Sequence, residues 1–226
     1  MKTVIGLAGV KTSGKSTVAE MVKSLVPNAK EAALADKLKN VSAEVFGLDR
    51  EQFDNQDLKE VPFDNPKLLD HDRIEQILTL FNVEPTQELM QTYYTNNVEG
   101  MLLETPRKIA QIVGTEVLRA TGNSDIHCEN VPLNEEGVTV ISDLRFPNEY
   151  EYFKNNKDVF FIPLYIHRTE AEQHVTEDSH PSEKCVFEFN TKCIKIDNNG
   201  TLEDTKVQVF NILKDVEFGK LGGLNG

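Results

Sequence analysis

The chain has 226 residues, of which 39% are hydrophobic, and this length predicts one α/β domain with insertions rather than two domains. A formal net charge of −13 argues against nonspecific binding to nucleic acid or to an anionic membrane surface. No apolar stretch approaches the ~20 residues of a membrane span, and Cys128, Cys185 and Cys193 lack the C-x-x-C spacing of a zinc or disulfide motif. We therefore expect a cytoplasmic protein with reduced thiols and no membrane partner.

The first predicted elements are a strand at residues 4–8 and a helix at residues 15–25, joined by a glycine-rich turn. The strand is the short apolar run VIGLA, and the helix carries apolar residues at helical spacing before Pro27. Between them the sequence GVKTSGKS, at residues 9–16, matches the phosphate-binding pattern G-x-x-x-x-G-K-[ST]. This context predicts binding of a nucleoside triphosphate.

Each residue type in the turn has a physical reason. Gly9 and Gly14 let the backbone turn so that successive N–H groups face phosphate oxygens, next to the positive end of the following helix. The Lys15 ammonium can then reach the β- and γ-phosphates, and the Ser16 hydroxyl can bind Mg²⁺.

Further along, short apolar strands alternate with helices. Predicted strands lie at residues 31–35, 138–142, 159–167 (interrupted by Pro163) and 193–196, and predicted helices lie at residues 36–46, 106–118, 147–154 and 201–216. From residue 49 to about 97 the chain is polar and punctuated by prolines, with no alternating strand pattern. We predict a helical insertion at residues 49–104, on a five-stranded parallel sheet with helices on both faces.

Two charged residues follow the predicted strand at residues 138–142. Asp143 comes directly after it, at the carboxyl end where ligands bind in open α/β sheets, and could hold Mg²⁺ or orient a substrate. Arg145 offers a planar fork of donors for a phosphate group. A helix N-cap or surface position for Asp143, and a surface salt bridge for Arg145, are the open alternatives.

Taken together, these segments resemble the deoxynucleoside monophosphate kinases of tailed bacteriophages, a branch of the nucleoside-monophosphate kinases. The likeness covers nearly the whole chain. Its motifs are GLAGVKTSGKST at residues 6–17, LADKLK at 34–39, DR at 72–73, TPRKIAQIVGTE at 105–116 with Arg119, DLRFPNE at 143–149 and DNNGTL at 197–202. The resemblance implies the three-layer α/β fold of P-loop NTPases.

The resemblance also implies an organisation for the chain. A single kinase domain spans residues 1–218, with its core at residues 1–48 and 105–218 and the insertion between them binding substrate. A lid, which closes over the bound nucleotides, occupies residues 168–184, approximately. We expect residues 219–226 to form a flexible tail.

Roles for individual residues follow from the same resemblance. The implied ATP contacts are Gly9, Thr12, Ser13, Gly14, Lys15, Ser16 and Thr17 in the phosphate loop, with Asn198 and Thr201 around the adenine. The implied contacts of the acceptor monophosphate are Lys11, Leu38, Lys39, Arg73, Arg107, Gly114, Thr115, Asp143, Arg145 and Glu149. Ser16 and Asp143 would hold Mg²⁺, and Lys15, Arg145 and Arg168 would carry catalysis.

The implied reaction is ATP + dNMP → ADP + dNDP, which supplies DNA precursors. An acceptor phosphate oxygen is already anionic near neutral pH, so positioning and charge neutralisation would suffice without a strong general base. The implied partners are small nucleotides, a homodimer stays open, and a phage-encoded chain would work in the host cytoplasm.

Two rival functions stay open at this point. A dephospho-CoA kinase has a similar loop and a similar Asn-Gly-Thr stretch, and would use Asp36 as the base for a ribose hydroxyl. A nucleotide-binding switch or assembly protein would bind a triphosphate without a second small-molecule site.

The sequence does not assign a clear role to two histidines. The chain has no Trp, whereas family members often carry one after the Gly-Thr helix, where His127 stands here. His127 could stack on a base in its place, but a lone histidine in a loop is more typical of the surface. His180 belongs either to the lid or to a plain turn.

Overall fold

The computed structural model describes residues 2–135, 137–177 and 184–217. Contacts divide the chain into two compact units, unit 1 formed by Met1–Leu34 and Val131–Gly226, and unit 2 formed by Ala35–Asn130. Unit 2 begins before the predicted insertion and ends after it, and the predicted division into core, insertion and lid stays a prediction. The predicted tail at residues 219–226 lies outside the described residues. Within the described part of the chain, no helix is long and apolar enough to cross a membrane.

The helices and strands of both units, in chain order, have the following bounds. They are β1 (Lys2–Ala8), α1 (Lys15–Leu25), β2 (Lys30–Ala32), α2 (Asp36–Phe46), α3 (Glu51–Asp54), β3 (Lys67–Leu69), α4 (His71–Leu80), α5 (Gln87–Thr95), β4 (Met101–Leu103), α6 (Pro106–Ile112), a π-helical segment (Val113–Leu118), a 3₁₀ turn (Arg119–Thr121), α7 (Ile126–Glu129), β5 (Val138–Leu144), α8 (Pro147–Asn155), β6 (Val159–His167), α9 (Thr169–Glu172), a 3₁₀ helix (Val186–Thr191), β7 (Ile194–Asp197) and α10 (Leu202–Glu217).

Unit 1 is built on a five-stranded parallel sheet with the strand order β2-β5-β1-β6-β7. In the central strand, Ala8 lies beside Leu144 of β5 and Tyr165 of β6, and His167 of β6 lies beside Asp197 of β7. The predicted five-stranded parallel sheet is confirmed. Because all five strands run the same way, the segments that follow them emerge at one edge of the sheet.

Helices cover both faces of this sheet, as the sequence predicted. On one face, aliphatic side chains of the strands pack with α1 and α10 in a buried cluster that includes Ile5, Leu7, Val18, Val22, Ile162 and Val209. On the other face, the ring of Phe161 lies 5.6 Å from Tyr150 and 5.7 Å from Phe153, both on α8. A Cβ on Gly6 would lie 2.8 Å from the Phe161 ring, so the glycine permits this close packing.

Two strands differ from what their sequence patterns indicate. β5 ends at Leu144, two residues later than predicted. Asp143 therefore lies within the strand, and its predicted position directly after the strand is wrong. The pairing of Leu144 with Ala8 extends the strand to this point. β6 runs through Pro163 without interruption, because β7 pairs with β6 only from Leu164 onward and Pro163 has one sheet neighbour.

Unit 2 is mainly helical, and α2 packs against α4 and α6 around a buried apolar cluster. It also contains a two-stranded antiparallel sheet of β3 and β4, in which Leu68 pairs with Leu102. The insertion predicted as helical at residues 49–104 therefore also contains two short strands, and three residues each are too few to show an alternating pattern. The helix predicted at residues 106–118 is α-helical only to Ile112 and then widens into the π-helical segment.

Candidate nucleotide-binding site

The loop between β1 and α1 has a backbone that glycine alone accommodates at two positions. Gly9 has φ +150° and Gly14 has φ +103°. A Cβ on Gly9 would lie 2.7 Å from Ser13 Oγ, and one on Gly14 would lie 2.3 Å from Asn198 Nδ2. Both positions therefore need glycine for space as well as for backbone conformation.

Two side chains of the loop point inward. Lys15 Nζ donates to the carbonyl oxygens of Gly9 and Val10, at 2.7 and 2.8 Å, which holds the ammonium against the loop. Ser13 is fully buried, and its Oγ has no hydrogen-bond partner among the described residues. A buried polar atom without a partner is uncommon in native proteins, and it fits a loop whose polar groups await a ligand.

Asn198 supports the phosphate loop from the neighbouring end of β7. Its Nδ2 donates to the carbonyl oxygen of Ser13 at 2.8 Å, and its Oδ1 accepts from the Thr205 hydroxyl at 2.8 Å. Its backbone N–H donates to the His167 carbonyl oxygen at 2.8 Å. The Asn198 side chain is thus engaged in supporting the loop, and its contact with adenine stays a prediction.

Thr201, the other residue expected near adenine, caps α10. Its hydroxyl donates to Asp204 Oδ2 at 2.7 Å, and the Asp204 N–H donates back to this hydroxyl at 3.2 Å. The side-chain and backbone hydrogen bonds from Thr201 lower the pKa of Asp204. An adenine contact by Thr201 also stays a prediction.

A cavity of about 600 Å³ opens beside the phosphate loop within unit 1. Gly14, Thr17, Arg168 and Asn198, all predicted from the sequence, line it. Its volume lies in the range of small-molecule sites, ~300–1,000 Å³. Thr169 and Leu202 also line it and were missed as site residues, although each directly follows a predicted site residue in the sequence, Arg168 and Thr201 respectively.

Asp143, near the end of β5, and Glu149, in the first turn of α8, both accept hydrogen bonds from backbone N–H groups. Asp143 Oδ1 accepts from the Leu34 N–H at 2.7 Å, so the carboxylate is not the N-cap of α8, a role taken by Phe146. Glu149 is 4% exposed, and its Oε2 accepts from the N–H groups of Arg145 and Phe146 at 2.7 and 2.9 Å. Glu149 therefore orders the turn that carries the exposed Arg145, and its contact with substrate stays a prediction.

The donor set predicted for Mg²⁺ fits that ion. Ser16 is exposed at the start of α1 and Asp143 is half-buried, and both offer oxygen ligands. In sites of this kind Mg²⁺ takes one or two protein ligands together with substrate phosphates. Over residues 2–135, 137–177 and 184–217, no group of three or more His, Cys, Asp or Glu side chains converges into a metal-binding cluster.

The remaining predicted acceptor contacts include three cations in unit 2, each paired with a nearby carboxylate. Lys39 contacts Asp54 at 2.8 Å, Arg73 contacts Asp70 at 2.8 Å, and Arg107 pairs with Glu60. The other three in unit 2 are Leu38 and Gly114, which pack against each other, and Thr115, whose hydroxyl donates to the Gln111 carbonyl oxygen. Lys11 is an exposed residue of the phosphate loop in unit 1.

His127 lies in the interior of unit 2, and the surface position favoured by the sequence is wrong. Its side chain belongs to α7, is 8% exposed, and meets the Phe81 ring edge to face with the centroids 6.4 Å apart. Burial, followed by the charge of Arg119, lowers the pKa of His127. The other uncertain histidine, His180, falls in residues 178–183, outside the described residues.

Comparison with known proteins gives two curated relatives of viral origin. The chain is 29% identical over 135 residues to the deoxynucleoside-5′-monophosphate kinase of Escherichia phage T5, covering 57% of this chain. It is 27% identical over 224 residues to a proposed deoxynucleotide monophosphate kinase of Acanthamoeba polyphaga mimivirus, covering 92% of this chain and 94% of that protein. The predicted family resemblance is confirmed.

The match to the phage kinase covers 54% of that protein's own length. No family model matches the chain. Among solved structures, dephospho-CoA kinase from Campylobacter jejuni aligns over 94% of this chain and 96% of its own, at 14% identity and a TM-score of 0.37. The assignment to the α/β P-loop fold rests on the observed sheet, with the phosphate loop after its central strand.

Proposed function

We propose that this chain is an ATP-dependent deoxynucleoside monophosphate kinase, which transfers the γ-phosphoryl group of ATP to a deoxynucleoside 5′-monophosphate. The observation that carries the proposal is the cavity of about 600 Å³ beside the phosphate loop, lined by Gly14, Thr17, Arg168 and Asn198. The names of the two viral relatives supply the acceptor class. The product, a deoxynucleoside diphosphate, is a precursor for DNA synthesis.

At the ATP end, the loop provides the charge that a triphosphate needs. The Lys15 ammonium now bonds the carbonyl oxygens of Gly9 and Val10, and a phosphate oxygen would take their place as its partner. The donor is ionised in both cases, but a phosphate oxygen is an anionic acceptor whereas a carbonyl oxygen is neutral, so the exchange is favourable. Mg²⁺, when bound by Ser16 and Asp143, would neutralise charge on the β- and γ-phosphates.

At the acceptor end, cationic side chains stand out on a chain of net charge −13. Lys39, Arg73 and Arg107 are each held by one carboxylate, which keeps their side chains ordered. A 5′-phosphate dianion carries more charge than a carboxylate and would compete for these cations. We assign them, with Arg145, to the acceptor phosphate.

The phosphoryl-transfer step requires few further groups from the protein. The attacking phosphate oxygen is anionic near neutral pH, so the transferring group needs alignment and neutralisation of the charge on its oxygens. Arg168, which lines the cavity, and Lys15, which is held against the phosphate loop, are the side chains we assign to that neutralisation.

The experiment is an assay of acceptor specificity. Release of ADP from Mg-ATP is measured with each of the four dNMPs, the four ribonucleotide counterparts and dephospho-CoA, and the products are identified by chromatography. We expect a dNDP from at least one dNMP. Phosphorylation of dephospho-CoA alone would identify the rival kinase, with Asp36 as base, and ATP hydrolysis that is indifferent to every acceptor would favour the nucleotide switch.

A further inference from the structure

The carboxylate of Glu172, the last residue of α9, turns back onto β6. Its Oε1 accepts a hydrogen bond from the Tyr165 hydroxyl at 2.8 Å and lies 2.7 Å from His167 Nδ1. Tyr165 is fully buried in the sheet, and the side chains of Glu172 and His167 are each 21% exposed. The carboxylate is therefore largely shielded from solvent and joined to two side chains of one strand.

The segment between these two anchors forms a wall of the ATP cavity. Arg168 and Thr169 line the cavity, and they stand between His167, at the end of β6, and Glu172. The Thr169 N–H also donates to Asn199 Oδ1 at 2.9 Å. The wall is thus fixed to β6 at both of its ends and to the segment after β7 at its middle.

A helix of this length needs such anchors. α9 has four residues, and its own bonds include those from the Glu172 and Gln173 N–H groups to the carbonyl oxygens of Arg168 and Thr169. A single turn is unstable in isolation because nucleation of a helix is unfavourable. Contacts to the sheet must therefore hold it in place.

The two glutamates within α9 make different contacts. Glu170 is 74% exposed and pairs with Arg168 at 3.0 Å, an ion pair of the surface type that contributes little. Glu172 instead bonds a buried hydroxyl. Burial and the Glu172 carboxylate raise the pKa of Tyr165, so this hydroxyl stays protonated and remains a donor.

We propose that Glu172 is a positioning residue, which holds Arg168 and the cavity wall against the sheet through Tyr165 and His167 before ATP binds. The proposal rests on the proposed function only for the identity of its ligand, ATP. Residues 168–173, placed in the lid by the sequence analysis, then act as a preformed wall.

The test replaces Glu172 by glutamine, which keeps the shape of the side chain and removes its charge. Calorimetry with Mg²⁺ and the non-hydrolysable β,γ-imido analogue of ATP should show binding about 10-fold weaker, as expected when a contact group is misplaced. The KM for dNMP should stay unchanged. Amide exchange at residues 169–173 should become faster, while exchange at residues 9–16 should not.

Two further variants make the test specific. Tyr165→Phe removes one of the two contacts at little cost in volume and should weaken binding of the analogue in the same direction. The double variant should bind no more weakly than Glu172→Gln, because the Tyr165 hydroxyl acts through the Glu172 side chain. Glu188→Gln, the same change at an exposed site in the 3₁₀ helix, should bind like the unmodified protein.

Wild-type affinity in both Glu172→Gln and Tyr165→Phe would overturn the proposal. An equal rise in the KM of ATP and of dNMP, together with a lower Tm, would also overturn it by showing a general loss of stability. Because the analogue assay needs no turnover, it decides the role of Glu172 even if the chain phosphorylates no dNMP and the proposed function fails.

Discussion

At the scale of single residues, Gly14 determines the shape of the phosphate loop. Its φ is +103°, and the space for a Cβ is filled by the Asn198 amide that supports Ser13. We expect Gly14→Ala to lower the free energy of unfolding by about 1–2 kcal/mol for the left-handed backbone and by ~1–3 kcal/mol more for the overpacked contact. Binding of the ATP analogue should weaken as well, measured on the same sample.

Gly47→Ala is the matched control for this change. Gly47 also has a positive φ, +63°, but a Cβ there would meet nothing within 4 Å. It should show the backbone cost alone in urea unfolding. Equal losses in the two variants would mean that Asn198 does not press on the loop.

Substitution of Lys15, again a single residue, tests the proposed phosphoryl transfer. In the proposed reaction its ammonium would neutralise charge that grows on the transferring phosphoryl group, so we expect Lys15→Ala to lower kcat by about 10²-fold or more. The stability of this variant should change little, since the Lys15 side chain is not part of the core and its two bonds are to carbonyl oxygens of the loop itself. Lys206→Ala, on an exposed position of α10, is the control. A Lys15→Ala variant with more than half of the normal turnover would refute the assignment of the phosphate loop.

At the scale of elements, α7 places an imidazole in the interior of unit 2. Burial lowers the pKa of His127 below the unfolded-state value, ~6.5. Above that pH both states are neutral at this site. As the pH falls through it, the unfolded chain takes up a proton that the folded protein resists, so stability should fall by up to about 1.4 kcal/mol per pH unit.

Other ionisable groups titrate in the same pH range. The contribution of His127 is therefore measured as the difference between the unmodified protein and a variant without this imidazole. Urea unfolding of the unmodified protein and of His127→Gln is compared at pH 7.5 and 5.5, values chosen about 1 unit either side of the reference pKa. The unmodified protein should lose more stability than the variant between these pH values. Parallel losses would show that His127 takes up its proton equally well when folded.

At the scale of the whole molecule, the predicted contacts fall in two units. The phosphate loop, Arg168 and the cavity beside the loop belong to unit 1, whereas Lys39, Arg73 and Arg107 belong to unit 2. Substitutions in unit 2 should therefore affect the acceptor and spare ATP. Arg107→Gln should raise the KM for dNMP about 10- to 150-fold, the loss of one charge-assisted bidentate contact, ~1.5–3 kcal/mol.

The control for Arg107 is Lys108→Gln, which removes a positive charge from the adjacent, exposed position of α6. It should leave both KM values unchanged, and the KM for ATP should stay constant in both variants. If Arg107→Gln raised the two KM values equally, Arg107 would not belong to the acceptor site.

The sequence by itself determined the features that depend on neighbours along the chain. α1, α2 and β6 have the bounds that apolar spacing and, for α1, Pro27 predict. The phosphate loop is a local motif, and Gly9 and Gly14 adopt the backbone conformations for which glycine is needed. Such features can be predicted from the sequence because the residues that decide them lie within one or two turns or strands of each other.

Only the tertiary structure decided which distant groups the polar side chains contact. Asn198 supports Ser13, a residue 185 positions away in the sequence, and Glu172 bonds Tyr165 across the start of α9. The pairing of β3 with β4 and the burial of His127 likewise depend on segments far apart in the chain. Local patterns report the spacing of apolar residues and the turn residues, whereas a hydrogen-bond partner is selected by the packing of elements that the chain brings together only on folding.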